Sequence, residues 1–140
     1  MDNSSEPVVL ALDGGSTKTD AVLVAGDGTL LGRSRVGPSN HQLVGIDGAT
    51  DALGEAIAMA VDDALSRGRM AEPGFPIAPL GVYCLAGLDL AVDEARLAPA
   101  IEPWLNGRTV VVAAHEPVLL PRFDTVVVLP DAAVPLVTAP

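Results

Sequence analysis

The spacing of apolar residues changes along the chain, and each change marks an element. Residues 8–12 form a short β-favouring run that stops at Asp13-Gly14-Gly15-Ser16-Thr17, where paired glycines permit a tight turn. Residues 19–24 and 30–36 are two further strand candidates, joined across Gly26-Asp27-Gly28-Thr29, which is rich in residues that tolerate positive φ. Together they predict a three-stranded antiparallel meander. From Gly45 onward the period lengthens: Ile46, Ala49, Leu53, Ala56, Ile57, Ala60, Val61, Ala64 and Leu65 recur at helical spacing. The helix ends near Arg67-Gly68-Arg69, where basic side chains suit the negative end of the macrodipole. Asp51, Glu55, Asp62 and Asp63 fall on its other faces as solvated surface.

A connector between Pro73 and Pro79 leads into residues 80–85, a buried-strand pattern ending at Ala86-Gly87-Leu88-Asp89. Residues 92–105 read as a helix shortened or kinked by Pro99 and Pro103, and residues 109–113 as a last strand. The order is βββαβαβ, an α/β fold with a mixed sheet flanked by helices. Texture then changes: all fourteen glycines lie at or before Gly107, whereas five of the twelve prolines follow it. The chain therefore divides into a lobe over residues 1–112 and an atypical segment over residues 113–140.

Composition narrows the function classes. With 49% apolar and 19% charged residues over 140 positions, the chain is one folded domain that needs no disulfide or structural metal. Eighteen acidic against eight basic residues leave a net charge of −10, a field that repels nucleic acid and anionic lipid. Cys84 stands alone and can form neither an internal disulfide nor a thiolate cluster. No apolar run approaches the roughly 18 residues of a membrane span, and the MDNSSEP start has no signal-peptide character, so a cytoplasmic protein is expected.

Three strand-end loops carry the candidate chemistry. At Asp13-Gly14-Gly15-Ser16-Thr17-Lys18-Thr19-Asp20, a strand, a two-glycine turn and a returning strand create a concavity of backbone N–H groups and short hydroxyls suited to phosphate. Asp13 would organise Mg²⁺ through water, and Lys18 would offset phosphate charge. The loop leads into a strand, unlike a P-loop, and reads equally as an ordinary hairpin turn. Asn40 and His41 stand before the long helix, either as hydrogen-bond partners of sugar hydroxyls or as a helix cap and a polar loop residue. Gly87 would let a ligand approach the backbone, and Asp89 is a ligand contact or an N-cap. In α/β sheets, ligands gather beyond strand carboxyl ends, so the three loops reinforce one another.

Taken in order, DGGSTKTD, a G-D-G hairpin, PSNHQLVGID, a long helix and CLAGLD resemble the N-terminal lobe of N-acetylglucosamine kinases, which belong with the BadF-type ATPases. The resemblance spans residues 8–112. It implies an actin-like, ribonuclease-H-like fold in which two such lobes close over ATP and a sugar. By that resemblance Asp13 organises Mg²⁺, while Gly14, Gly15, Ser16 and Thr17 meet the nucleotide phosphates, Thr17 being the clearest contact. Asn40, with His41, meets the amino sugar, and Gly87 and Asp89 lie close to the same pocket.

The departure is equally informative. Where the family pattern places a pair ending in the aspartate base, this chain reads Ala113-Ala114, and an alanine cannot take the sugar hydroxyl proton. His115 and Glu116 are adjacent, but a shift of one or two residues redirects a side chain near a strand end. The second lobe has no counterpart in the 26 residues after Ala114. A truncated or frame-disrupted kinase, or a short family member, weakly active or inactive alone, is the expectation. A non-catalytic sugar-binding or regulatory module is the alternative. A radical-dehydratase activator ranks last because it needs cluster-bridging cysteines. The face that would meet a second lobe predicts self-association.

Overall fold

A computed structural model of the chain describes residues 4–74, 76–87, 96 and 99–100, together with the backbone of three further strands. Its centre is a five-stranded mixed sheet in the order β3-β2-β1-β4-β5. Strands β1 (Pro7–Gly14), β2 (Thr19–Ala25) and β3 (Leu30–Val36) form the expected antiparallel meander, and β4 (Leu80–Leu85) and β5 (Thr109–Ala113) add in parallel beside β1. Strands β6 (Val127–Val128) and β7 (Val137–Thr138) make a separate two-stranded pair that the apolar pattern does not predict. The expected helix over residues 92–105 falls largely outside the described residues, as do Asp89 and Ala114.

Alternation along the strands decides which face is covered. Leu10, Leu12, Ala21, Leu23 and Tyr83 point to one face and are buried, and Leu31, at the register shift of β3 against β2, joins the same core; a fully buried leucine contributes about 2 kcal/mol. The helix α1 (His41–Ser66) packs on this face, chiefly against β3 and β2. Its contact side is a row of small residues, Ala49, Ala52, Ala56, Ala60 and Ala64, all buried. That row brings helix backbone close enough for the Ser34 hydroxyl to donate to the Ala56 carbonyl.

The helix start differs from the sequence reading. It begins at His41 rather than at Gly45, but Gly45 (φ 75°, ψ 172°) interrupts it, so residues 41–44 form a separate single turn. A left-handed residue here is cheap only for glycine, which explains why the apolar period begins beyond it. At the other end, Gly68 N donates to the Leu65 carbonyl and Arg69 N to the Ala64 carbonyl, both at 2.9 Å, a Schellman closure.

Asp63 corrects a second expectation. Instead of standing free in solvent, its carboxylate accepts from the Arg33 backbone N–H at 3.0 Å and from Arg67 Nε at 2.7 Å. Nearby, Arg69 Nη1 donates to the Leu30 carbonyl at 3.0 Å. Side chains from the end of α1 and the residues just after it thus occupy part of the outer edge of β3, which blunts strand addition there. The Arg67 hydrogen bond, then the Arg33 amide, hold the Asp63 carboxyl below its usual value. A carboxyl depressed in the folded state contributes stability that is present above the unfolded value, near 3.8, and lost as pH falls through the folded one. Asp63→Asn is therefore expected to flatten the acid limb of the stability–pH profile. An unchanged limb would show that the edge contact contributes nothing.

Candidate functional site

The site is built where β1 and β4 end side by side. Gly14, the last residue of β1, is buried, and its carbonyl accepts from Ala86 N at 2.7 Å, tying the first loop to the bend after β4. A Cβ on Gly14 would fall on Ser39 Oγ and within 3.1 Å of Leu85 Cδ2, so this glycine serves close packing between loops. Ser39 Oγ itself is buried and has no hydrogen-bond partner among the described residues.

Gly15 organises the next layer. Its N–H donates to the Lys18 carbonyl at 2.8 Å, closing the turn, and its carbonyl accepts from both Ser39 N and Asn40 N at 3.0 and 3.2 Å. Among the described residues, Gly15 is the only member of the Gly15-Ser16-Thr17-Lys18 loop whose amide is engaged by a backbone carbonyl outside the strand pairing. Ser16, Thr17 and Lys18 are exposed at the loop tip, and among the described residues their N–H groups donate to no backbone carbonyl outside the strand pairing.

Asn40 joins three segments. Its Oδ1 accepts from Gln42 N at 3.0 Å, which makes it the N-cap of α1, and its Nδ2 donates to Ser16 Oγ at 3.0 Å. Gln42 Nε2 in turn donates to the Gly87 carbonyl at 3.2 Å, bridging to the β4 bend. His41 is 5% exposed, so the reading of it as a polar loop residue is corrected: it is a buried first-turn residue. Thr19, fully buried, adds a further tie by donating from Oγ1 to the Gly37 carbonyl at 2.8 Å.

Gly87 lies against this assembly. Its φ is +92°, and a Cβ there would meet Asn40 Oδ1, Asn40 Cγ at 3.1 Å and His41 Nδ1 at 3.2 Å. The structure therefore brings together Gly14, Gly15, Ser16, Asn40, His41 and Gly87, with Thr17 and Lys18 at the loop tip. Gln42 and Ser39, which sequence reasoning did not select, belong to the same network. No spacing signal marks them, because the bonds that place them, Ser39 to Gly15 and Gln42 to Gly87, span 24 and 45 positions.

Asp13 stands on the opposite face of the sheet from α1, exposed at the end of β1. Its cross-strand partner is Asp20 on one side and Cys84 on the other. Cys84 is half-buried on this face rather than inside, between the buried Tyr83 and Leu85. Burial pushes its thiol pKa up, and the negative charge of Asp13 adds to the shift. Among the described residues no group of three or more His, Cys, Asp or Glu side chains is placed to hold a metal ion. Asp13 is instead an exposed carboxylate at the end of β1, with Asp20 as its neighbour on β2.

The fold has a counterpart in a solved structure. A provisionally assigned N-acetylglucosamine kinase from Chromobacterium violaceum matches with a TM-score of 0.55 and 26% identity, over 79% of this chain and 35% of that one. The chain has a sugar-kinase-like fold. It spans about a third of the length of the structure it matches. No family model matches the chain, and neither does any curated protein. Among the described residues, no helix is long and apolar enough to cross a membrane.

Proposed function

We propose that this chain forms one lobe of an ATP-dependent kinase acting on N-acetylglucosamine or a close hexosamine, with the actin-like arrangement of that fold. The observation that carries the reading is the loop after β1: it is tied down through Gly15, Asn40 and Ala86, while among the described residues the amides of the exposed Ser16, Thr17 and Lys18 donate to no backbone carbonyl outside the strand pairing. Such a pre-formed row costs little reorganisation when an anion arrives. The sugar-kinase-like fold supports the same assignment.

In this reading the loop amides and the Thr17 hydroxyl hold nucleotide phosphates, and Lys18 offsets their charge. Mg²⁺, bound through water to Asp13, would neutralise the phosphate oxygens. Asn40 has one amide hydrogen beyond the bond to Ser16 for a sugar hydroxyl, and His41 and Gly87 shape the pocket beside it. The proton on the sugar hydroxyl needs an acceptor, and the sequence supplies Ala114 where an aspartate is expected. Binding with very slow turnover follows. Ala114 equally supports the second reading, a sugar-binding module, which predicts sugar affinity indifferent to Mg-ATP.

Titration of the chain with Mg-ATP tests the assignment. Asp13→Ala is expected to weaken binding about tenfold, roughly 1.4 kcal/mol, with a smaller effect on ATP in the absence of Mg²⁺. Equal affinity of the two proteins would remove Asp13 from the metal role. Rapid turnover by this chain alone would overturn the significance given to Ala114.

A further inference from the structure

Lys18, the only lysine, does not stand free beside the loop amides. Its ammonium lies 3.7 Å from Asp20 Oδ2. The Asp20 carboxylate is gripped more tightly from the other side: Arg35 donates to Oδ1 from Nε at 2.6 Å and to Oδ2 from Nη2 at 3.0 Å. Lys18 and Arg35 therefore compete for one carboxylate oxygen, and the two-bond guanidinium contact is the stronger. Arg35, Asp20 and Asp13 occupy one row across β3, β2 and β1, so all three side chains share a face at the loop end of the sheet.

We propose that Asp20 and Arg35 are positioning residues that set how much of the Lys18 charge an anion at the Ser16-Thr17-Lys18 amides can use. Asp20 draws the ammonium back from the loop, and Arg35, by satisfying both oxygens of Asp20, loosens that hold. The inference rests on the phosphate-loop reading above and adds a device that tunes it. All three side chains are partly exposed, so the exchange of Lys18 between carboxylate and anion is a small step, worth a few-fold in affinity. The Arg35 hydrogen bond, first among the causes, holds the Asp20 carboxyl below its ordinary value.

The test is an NMR titration of the 140-residue chain with inorganic tripolyphosphate, following the Ser16, Thr17 and Lys18 amides. Asp20→Asn is expected to tighten binding about threefold and Arg35→Gln to weaken it about threefold, sizes set by the modest strength of exposed pairs. Arg35→Lys, which lacks the planar fork, should behave like Arg35→Gln. In a Lys18→Ala background both effects should fall to less than half. Equal effects with and without Lys18 would reduce the pair to bulk charge and overturn the inference alone, as would an unchanged affinity in Asp20→Asn. A hollow of about 440 Å³ runs from the Asp20–Arg35 pair past Arg33 to Asp63 and Arg67. Shifts confined to those residues, or no loop shift in any variant, would overturn the phosphate-loop reading itself.

Discussion

Gly32→Ala is expected to cost about 3 kcal/mol of stability, read as a lower urea midpoint at unchanged slope. A Cβ at this position would fall on the Ala60 carbonyl oxygen and lie 2.9 Å from both Ala64 N and Ala64 Cβ. Two of those three atoms are backbone, so no rotamer change can clear them, and α1 would have to lift as a body. It is held down by the buried Leu53 and alanine row, by Ser34 on the Ala56 carbonyl and by Asp63 on the Arg33 amide. Gly54→Ala supplies the contrast: nothing lies within 4 Å of its added Cβ, and a helical alanine is favoured over glycine by about 1 kcal/mol. Should the two variants prove equally stable, α1 does not approach β3 as closely as described.

Gly87→Ala is expected to destabilise the chain by about 2 kcal/mol and to abolish N-acetylglucosamine binding if the proposed function holds. Two causes act together: a left-handed φ that an L side chain resists, and an added Cβ placed on Asn40 Oδ1. Displacing Asn40 releases Gln42 N and Ser16 Oγ at once, so the perturbation reaches both other loops. Gly28→Ala separates the causes, since Gly28 has φ +88° and open space around it. A Gly87 variant that costs no more than the Gly28 variant, and leaves amide exchange at Gln42 unchanged, would mean that Gly87 does not press on Asn40.

The two kinds of glycine show how much could be read from the chain. Periodicity placed β3 and β4 at their observed bounds, because half-buried strands and amphipathic helices impose short-range patterns. It also marked Gly45, since the long helical repeat starts just beyond that residue. Gly32, by contrast, looked like any residue inside a strand. Its requirement comes from Ala60 and Ala64, which lie 28 and 32 positions later and touch it only after α1 folds back.

The candidate site divides the same way. DGGSTKTD announced a turn with donors, and its order with PSNHQLVGID and CLAGLD carried the resemblance that the solved sugar-kinase-like fold now supports in part. The sequence could not say that Asn40 is both a helix cap and a brace for Ser16, nor that Cys84 sits beside Asp13 on the face opposite α1. It could not foresee that Asp20 is shared by Lys18 and Arg35.

By itself, then, the sequence determined the strands of the main sheet, the long helix and the positions of three loops, because local alternation, turn chemistry and apolar period decide those. Only the tertiary structure decided which loop atoms are already spent on one another and which are left for a ligand. Those bonds run between residues far apart in the chain, and the register of β1 against β2 and β4 sets them.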